Sequence, residues 1–152
     1  MIGIIFCAGK GTRLGKETKD RPKCMVDVGG KPVLERIADH LENNGVDRIV
    51  VNLHSYPEIV MKHFGQRFLY LYEPVPIGKD RTVSLVRGWF PDEDILAVNG
   101  DTLTDFFPNK KKEIHNGYTL YLYENKEMLT GGDFIDIGTP KGLRKARNKY
   151  GK

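Results

Sequence analysis

Two cations and two carboxylates are spaced along this chain so that they could handle a polyphosphate. Arg13 lies inside the run Gly9-Lys10-Gly11-Thr12-Arg13-Leu14-Gly15, and Lys23 follows ten residues later in Arg21-Pro22-Lys23. A glycine-rich turn lets backbone N–H groups approach phosphate oxygens without a Cβ in the way. Arginine grips such oxygens with a bidentate fork, while lysine acts as a point charge. The run is not a Walker loop, because Lys10 stands where the first glycine belongs and Glu17 where Ser or Thr belongs. It departs from the dinucleotide fingerprint as well: the third glycine comes one place late, and Asn52 and His54 stand where an acidic residue is expected. For the glycines alone, a tight structural turn is an equally open reading.

The carboxylates lie in Val98-Asn99-Gly100-Asp101 and in Phe134-Ile135-Asp136-Ile137-Gly138-Thr139-Pro140. A carboxylate at the carboxyl end of a sheet strand sits where open α/β folds bind ligands. A hard oxygen donor there suits Mg²⁺, which needs one or two carboxylates besides substrate phosphates. Asn-Gly-Asp by itself is as readily a turn. Asp136, on an otherwise apolar strand, needs a partner because an isolated buried carboxylate is costly. Asp105 is best read as the cap of a short turn.

The chain of 152 residues suits one domain, 39% hydrophobic and 29% charged. Those values exclude disordered and fibrous classes. A net charge of +4 and a pI near 9.0 do not make a nucleic-acid binder, because the cations are dispersed and 20 acids oppose them. The densest run, Lys110-Lys111-Lys112, reads as a solvated loop. Two cysteines give no disulfide framework, and Cys7, inside an apolar run, reads as a small buried hydrophobe. Neither a signal peptide nor a membrane span is legible, so a cytoplasmic protein is expected. His40, His63 and His115 lack metal-ligand spacing and are assigned to the surface; His54 is a poor general base.

These groups need a scaffold. Ile2 to Ala8 is a nearly continuous apolar run, the pattern of a strand buried on both faces. After the glycine-rich loop, Pro32 opens a helix carrying Val33, Leu34, Ile37, Ala38 and Leu41, which Asn44-Gly45 stops. Strand 47–53, helix 57–64, strand 68–72, a helix to Trp89 capped by Asp80, and strand 95–99 continue the alternation. Strands at 118–123 and 134–137 and a basic helix over 141–150 follow. The reading is an α/β fold, a doubly wound and mostly parallel sheet.

Taken together, Gly9-Lys10-Gly11-Thr12-Arg13-Leu14, Thr18, Pro22-Lys23-Cys24-Met25-Val26 and Gly30-Lys31-Pro32-Val33-Leu34-Glu35 resemble the signature of the sugar-phosphate nucleotidyltransferase family. Asn99-Gly100-Asp101-Thr102-Leu103-Thr104-Asp105 is similar to the versions in muramate-, mannose- and heptose-phosphate nucleotidyltransferases. Phe134 to Pro140 resembles the late Asp-x-Gly-Thr-Pro element. The resemblance implies a Rossmann-like fold of the nucleotide-diphospho-sugar transferase type. It also implies Mg²⁺-dependent transfer of a nucleotidyl group from NTP to a sugar 1-phosphate, with pyrophosphate released and an NDP-sugar formed. Arg13 and Lys23 would be catalytic. Ala8, Gly9, Gly11, Thr12, Arg13, Lys23, Gly78, Asn99 and Gly100 would bind NTP, and Asp101 and Asp136 would hold Mg²⁺.

The chain departs from that pattern in two places. Only 34 residues separate Asp101 from Asp136, so residues 102–152 read as a shortened acceptor and metal-binding half beside an NTP-binding half at 1–101. The usual acceptor lysine is missing: Lys126 is the nearest candidate but reads better as solvated, and Tyr118-Thr119-Leu120-Tyr121 is a remnant of the sugar-side strand. Pro76-Ile77-Gly78-Lys79-Asp80 replaces a Gly/Thr-rich nucleotide loop, leaving base preference open. Two alternatives stand: a cytidylyltransferase for an amino-alcohol phosphate such as phosphocholine, and a non-catalytic nucleotide-binding module. The partners expected are NTP and a phosphorylated small molecule, with neither nucleic acid nor membrane. A homo-oligomer that completes the acceptor pocket is left open.

Overall fold

A computed structural model describes residues 1–107, 113–115, 118–122 and 134–151, the strands 113–115 and 118–122 by their backbone alone. The chain runs β1 (Ile2–Cys7), β2 (Asp27–Val28), β3 (Lys31–Pro32), α1 (Val33–Asn43), β4 (Arg48–Leu53), α2 (Pro57–Phe64) and β5 (Leu69–Tyr72). It continues through α3 (Lys79–Trp89), β6 (Ile95–Asn99), β7 (Thr102–Thr104), β8 (Glu113–His115), β9 (Tyr118–Leu122), β10 (Phe134–Asp136) and α4 (Pro140–Tyr150). Lys110-Lys111-Lys112 and Lys126 lie outside the described residues, as do the side chains of 118–121.

Six strands form one sheet in the order β5-β4-β1-β6-β9-β8. Every neighbouring pair is parallel except β8 and β9. The apolar alternation of β1 explains its central place. Ile5 and Cys7 pack on one face with α1, α2 and α4, while Ile2 and Ile4 pack on the other with Val83 and Val86 of α3. Both faces are therefore covered and dry, as expected of a doubly wound sheet.

Some local expectations change. The N-cap of α3 is Gly78, with φ 90°, rather than Asp80. Thr82 N–H donates to the Gly78 carbonyl at 3.1 Å and starts the helix there, leaving Asp80 in the first turn, where a carboxylate suits the helix dipole. The glycine-rich loop carries 3₁₀ turns at Thr12–Thr18 and Lys23–Met25, and a two-residue hairpin of β2 and β3 closes it. Most consequential for the site, β7 and β10 pair antiparallel outside the main sheet, setting Asp136 opposite Thr102.

Candidate functional site

The first element of the site is the exit of β6. Gly100 N–H donates to the Phe6 carbonyl at 2.9 Å, so the chain turns tightly against β1. A Cβ on Gly100 would lie 2.5 Å from the Phe6 carbonyl oxygen and 2.8 Å from the Cys7 sulfur, and only glycine fits. That turn delivers Asp101 to the carboxyl end of the parallel strands. Asp101 in turn holds the late element, because its backbone carbonyl accepts the Ile137 N–H at 2.8 Å.

Asp136 arrives on β10 and its Oδ1 accepts the Gly138 N–H at 2.7 Å. The spot where a Cβ on Gly138 would lie is 2.9 Å from Asp136 Oδ1, 3.1 Å from Asp101 Oδ2 and 3.4 Å from Lys23 Nζ. Two carboxylates and an ammonium thus converge on one point. Lys23 Nζ donates to Asp101 Oδ2 at 2.8 Å, and Thr102 Oγ1 lies 3.3 Å from Asp101 Oδ1.

Phe6, Cys7, Gly9, Lys23, Cys24, Lys79, Asn99, Gly100 and Asp101 line a cleft of about 230 Å³ at this point. Gly9, Lys23, Asn99, Gly100 and Asp101 of the expected set are therefore brought together. Ala8 is buried beside them. Gly11 has φ 66°, a Cβ there would lie 3.1 Å from Lys23 Cβ and 3.3 Å from Thr18 Cγ2, and its carbonyl accepts the Thr18 hydroxyl at 2.8 Å. Thr12 and Arg13 are exposed on the 3₁₀ turn, outside the cleft lining, and Gly78 is exposed at the start of α3. Burial, with Cys24 alongside, pushes the Cys7 thiol well above its usual range, which suits a packing role rather than a nucleophile.

The donor set fits a small divalent cation. Asp101 Oδ2 and Asp136 Oδ1 are hard oxygens facing a shared space, and no cluster of three His, Cys, Asp or Glu exists among the described residues. Two carboxylates with the remaining positions left to phosphate or water is the pattern Mg²⁺ takes.

Sequence reading missed several participants. Lys79 Nζ donates to Asn99 Oδ1 at 2.7 Å and lies 5.4 Å from the centroid of the Phe6 ring, so a second cation lines the cleft with Lys23. Glu73, Asn52 and Thr82 form a buried polar group beneath it. Asn52 in the apolar run 49–53 was the available signal, since a buried polar side chain requires partners. Arg147 of α4 holds Glu17 at 2.9 and 3.1 Å, tying the glycine-rich segment to the helix after Asp136. His40 is half-buried, its Nε2 2.7 Å from the Phe106 carbonyl, rather than a surface residue.

The sequence profile of the MobA-like NTP transferase domain matches residues 3–103. The bifunctional protein GlmU of Methanococcus maripaludis is 35% identical over 132 residues, covering 86% of this chain and 29% of its own. The D-glycero-alpha-D-manno-heptose 1-phosphate guanylyltransferase of Campylobacter jejuni is 32% identical over 144 residues, 91% of this chain and 62% of its own. The chain thus spans about a third of the length of the first relatives it matches. In fold it is similar to HddC from Yersinia pseudotuberculosis complexed with GMP-PN, with a TM-score of 0.74 at 19% identity over 98% of this chain and 99% of that one. No helix among the described residues is long and apolar enough to cross a membrane.

Proposed function

Since the chain belongs to the family of MobA-like NTP transferase domains, we propose that it transfers a nucleotidyl group from an NTP to a sugar 1-phosphate. The observation that carries this reading is the convergence of Asp101, Asp136 and Lys23 at Gly138, beside a glycine-rich loop. A binding module would have no need of two carboxylates facing one another. The heptose 1-phosphate named for the Campylobacter jejuni relative supports a sugar 1-phosphate as the acceptor.

The reaction is an in-line displacement. An acceptor phosphate oxygen attacks the α-phosphorus, its new P–O bond forms as the bond to the β-phosphate oxygen breaks, and pyrophosphate leaves. Phosphate is already a competent nucleophile, so the protein's part is positioning and charge neutralisation. The backbone of Gly9 and Gly11 borders the triphosphate. Lys23 exchanges its bond to Asp101 for the α-phosphate oxygens, and Arg13, exposed on the 3₁₀ turn, meets the β- and γ-phosphates. Asp101 and Asp136 would hold Mg²⁺, which when bound supplies Lewis-acid neutralisation of phosphate charge. Residues 1–101 serve as the nucleotide half and 102–152 as the acceptor half.

The test is pyrophosphate release with Mg²⁺ across GTP, UTP, CTP, ATP and dTTP, each against sugar 1-phosphates and phosphocholine. Release with one NTP and a sugar 1-phosphate, lost in Asp101→Asn, is the expected result. Release with phosphocholine instead moves the assignment to the cytidylyltransferase reading. NTP binding without release for any acceptor leaves only a binding module.

A further inference from the structure

Beneath the cleft lies a polar cluster that the chemistry above does not use. Glu73 is 2% exposed, Asn52 4% and Thr82 0%. Glu73 Oε2 accepts from Asn52 Nδ2 at 2.9 Å and from Thr82 Oγ1 at 2.8 Å, and its Oε1 accepts the Ile77 N–H at 3.1 Å. Asn52 Oδ1 in turn accepts the Cys7 N–H at 2.6 Å. Every group facing Glu73 is a donor, so the pocket is built for an acceptor-only side chain.

The cluster joins two segments of the cleft. Cys7 leads through Ala8 into Gly9, and Ile77 leads into Gly78 and Lys79; Cys7, Gly9 and Lys79 all line it. Glu73 is itself fixed to β4, its N–H donating to the Leu53 carbonyl at 2.7 Å. We infer that Glu73 and Asn52 are a positioning pair that sets the separation of these two segments and thereby the affinity for NTP. This rests on the reading of the cleft as the NTP site.

The pairing has a specific chemical test. Glu73→Gln alone places an NH₂ against a donor, and Asn52→Asp alone sets two carboxylates together. In the double variant the bonds re-form with donor and acceptor exchanged. Asp at 52 accepts from Cys7 and from the Gln amide, the Gln oxygen accepts from Ile77, and the Thr82 hydroxyl accepts from the Gln amide. That hydroxyl then donates to the Gly78 carbonyl, already 3.1 Å away.

The experiment titrates GTP, UTP, CTP, ATP and dTTP calorimetrically into the wild-type chain, both single variants and the double variant, at a temperature where all are folded. Amide exchange at Cys7 and Ile77 is followed in parallel. Each single variant should weaken NTP binding by at least roughly tenfold, about 1.4 kcal/mol being the effect of one unpaired buried group, and quicken exchange at both amides. The double variant should recover both to within about threefold of wild type. Equal loss in the double variant overturns the inference, and so does quickened exchange in the single variants with NTP affinity unchanged. A wild-type chain that binds no NTP sinks the functional reading itself, a result distinct from either. Where Glu73→Gln does not fold, Thr82→Val removes one donor only; unchanged NTP affinity there also overturns the inference.

Discussion

Asp101 and Asp136 converge with Lys23 at Gly138, partly open to solvent, whereas Glu73, at the carboxyl edge of the main sheet, is closed off with Asn52 and Thr82. The Lys23 and Asp101 side chains keep 25% and 21% of their surface exposed. Glu73 keeps almost none, and three donors occupy its oxygens. A carboxylate saturated by fixed neutral donors has nothing left to offer a ligand. One paired with a flexible lysine can release that partner and take another. The difference separates a carboxylate that builds the backbone from carboxylates that can meet substrate, although Glu73 and Asp101 both follow strands of the same sheet at its carboxyl edge.

The comparison is broken first at Asp101. Asp101→Asn should lower turnover by about a thousandfold while leaving the denaturation midpoint near wild type, since preorganised charge at the reacting centre commonly contributes that much. Steady-state pyrophosphate release checks it, and a variant with near-normal turnover would return Asp101 to a purely structural role. Gly138→Ala comes next. Its Cβ would crowd Asp136 Oδ1, Asp101 Oδ2 and Lys23 Nζ together, and a misplacement of that kind should cost roughly ten- to a hundredfold in kcat/KM. The same substitution should leave amide exchange at Cys7 and Ile77 unchanged, which sets it apart from lesions at Glu73.

Gly100→Ala acts on the scaffold that both regions share. Its Cβ meets the Phe6 carbonyl, backbone rather than a yielding side chain, and should destabilise the fold by roughly 1–3 kcal/mol in urea titration. The smallest effect is expected at Arg147→Met. Arg147, hydrogen-bonded to Glu17, holds that carboxyl below the usual carboxylate range. A lowered carboxyl contributes stability above its ordinary pKa and loses it as pH falls through the folded-state value. The pair is partly solvated, so the variant should lose only about 0.5 kcal/mol at neutral pH. The gap should close in acid; a gap that persists there would assign the effect to packing.

Much of this molecule was legible from the chain alone, for a local reason. Continuous apolar runs such as Ile2 to Ala8 and Ile95 to Val98 mark strands covered on both sides. The 3.6-residue period of Val33, Leu34, Ile37, Ala38 and Leu41 marks one helix face. The glycine-rich run and the two Asp-containing turns stand out because such residues are needed where backbone must approach a ligand or another strand. Those signals depend on neighbours in sequence, and the alternation of strand and helix followed from them.

What only the tertiary structure decided depends on residues far apart in the chain. Lys23 meets Asp101 across 78 positions, and Asn52 meets Glu73 across 21. Thr102–Thr104, too short to show a period, becomes a strand because Phe134–Asp136 pairs with it, and that pairing sets Asp136 beside Asp101. The cap of α3 moved from Asp80 to Gly78 for a related reason, since Thr82 is drawn to Glu73 and the helix starts where that contact allows. Periodicity and turn chemistry specify which elements form, but hydrogen-bond saturation and close packing between elements choose which side chains meet.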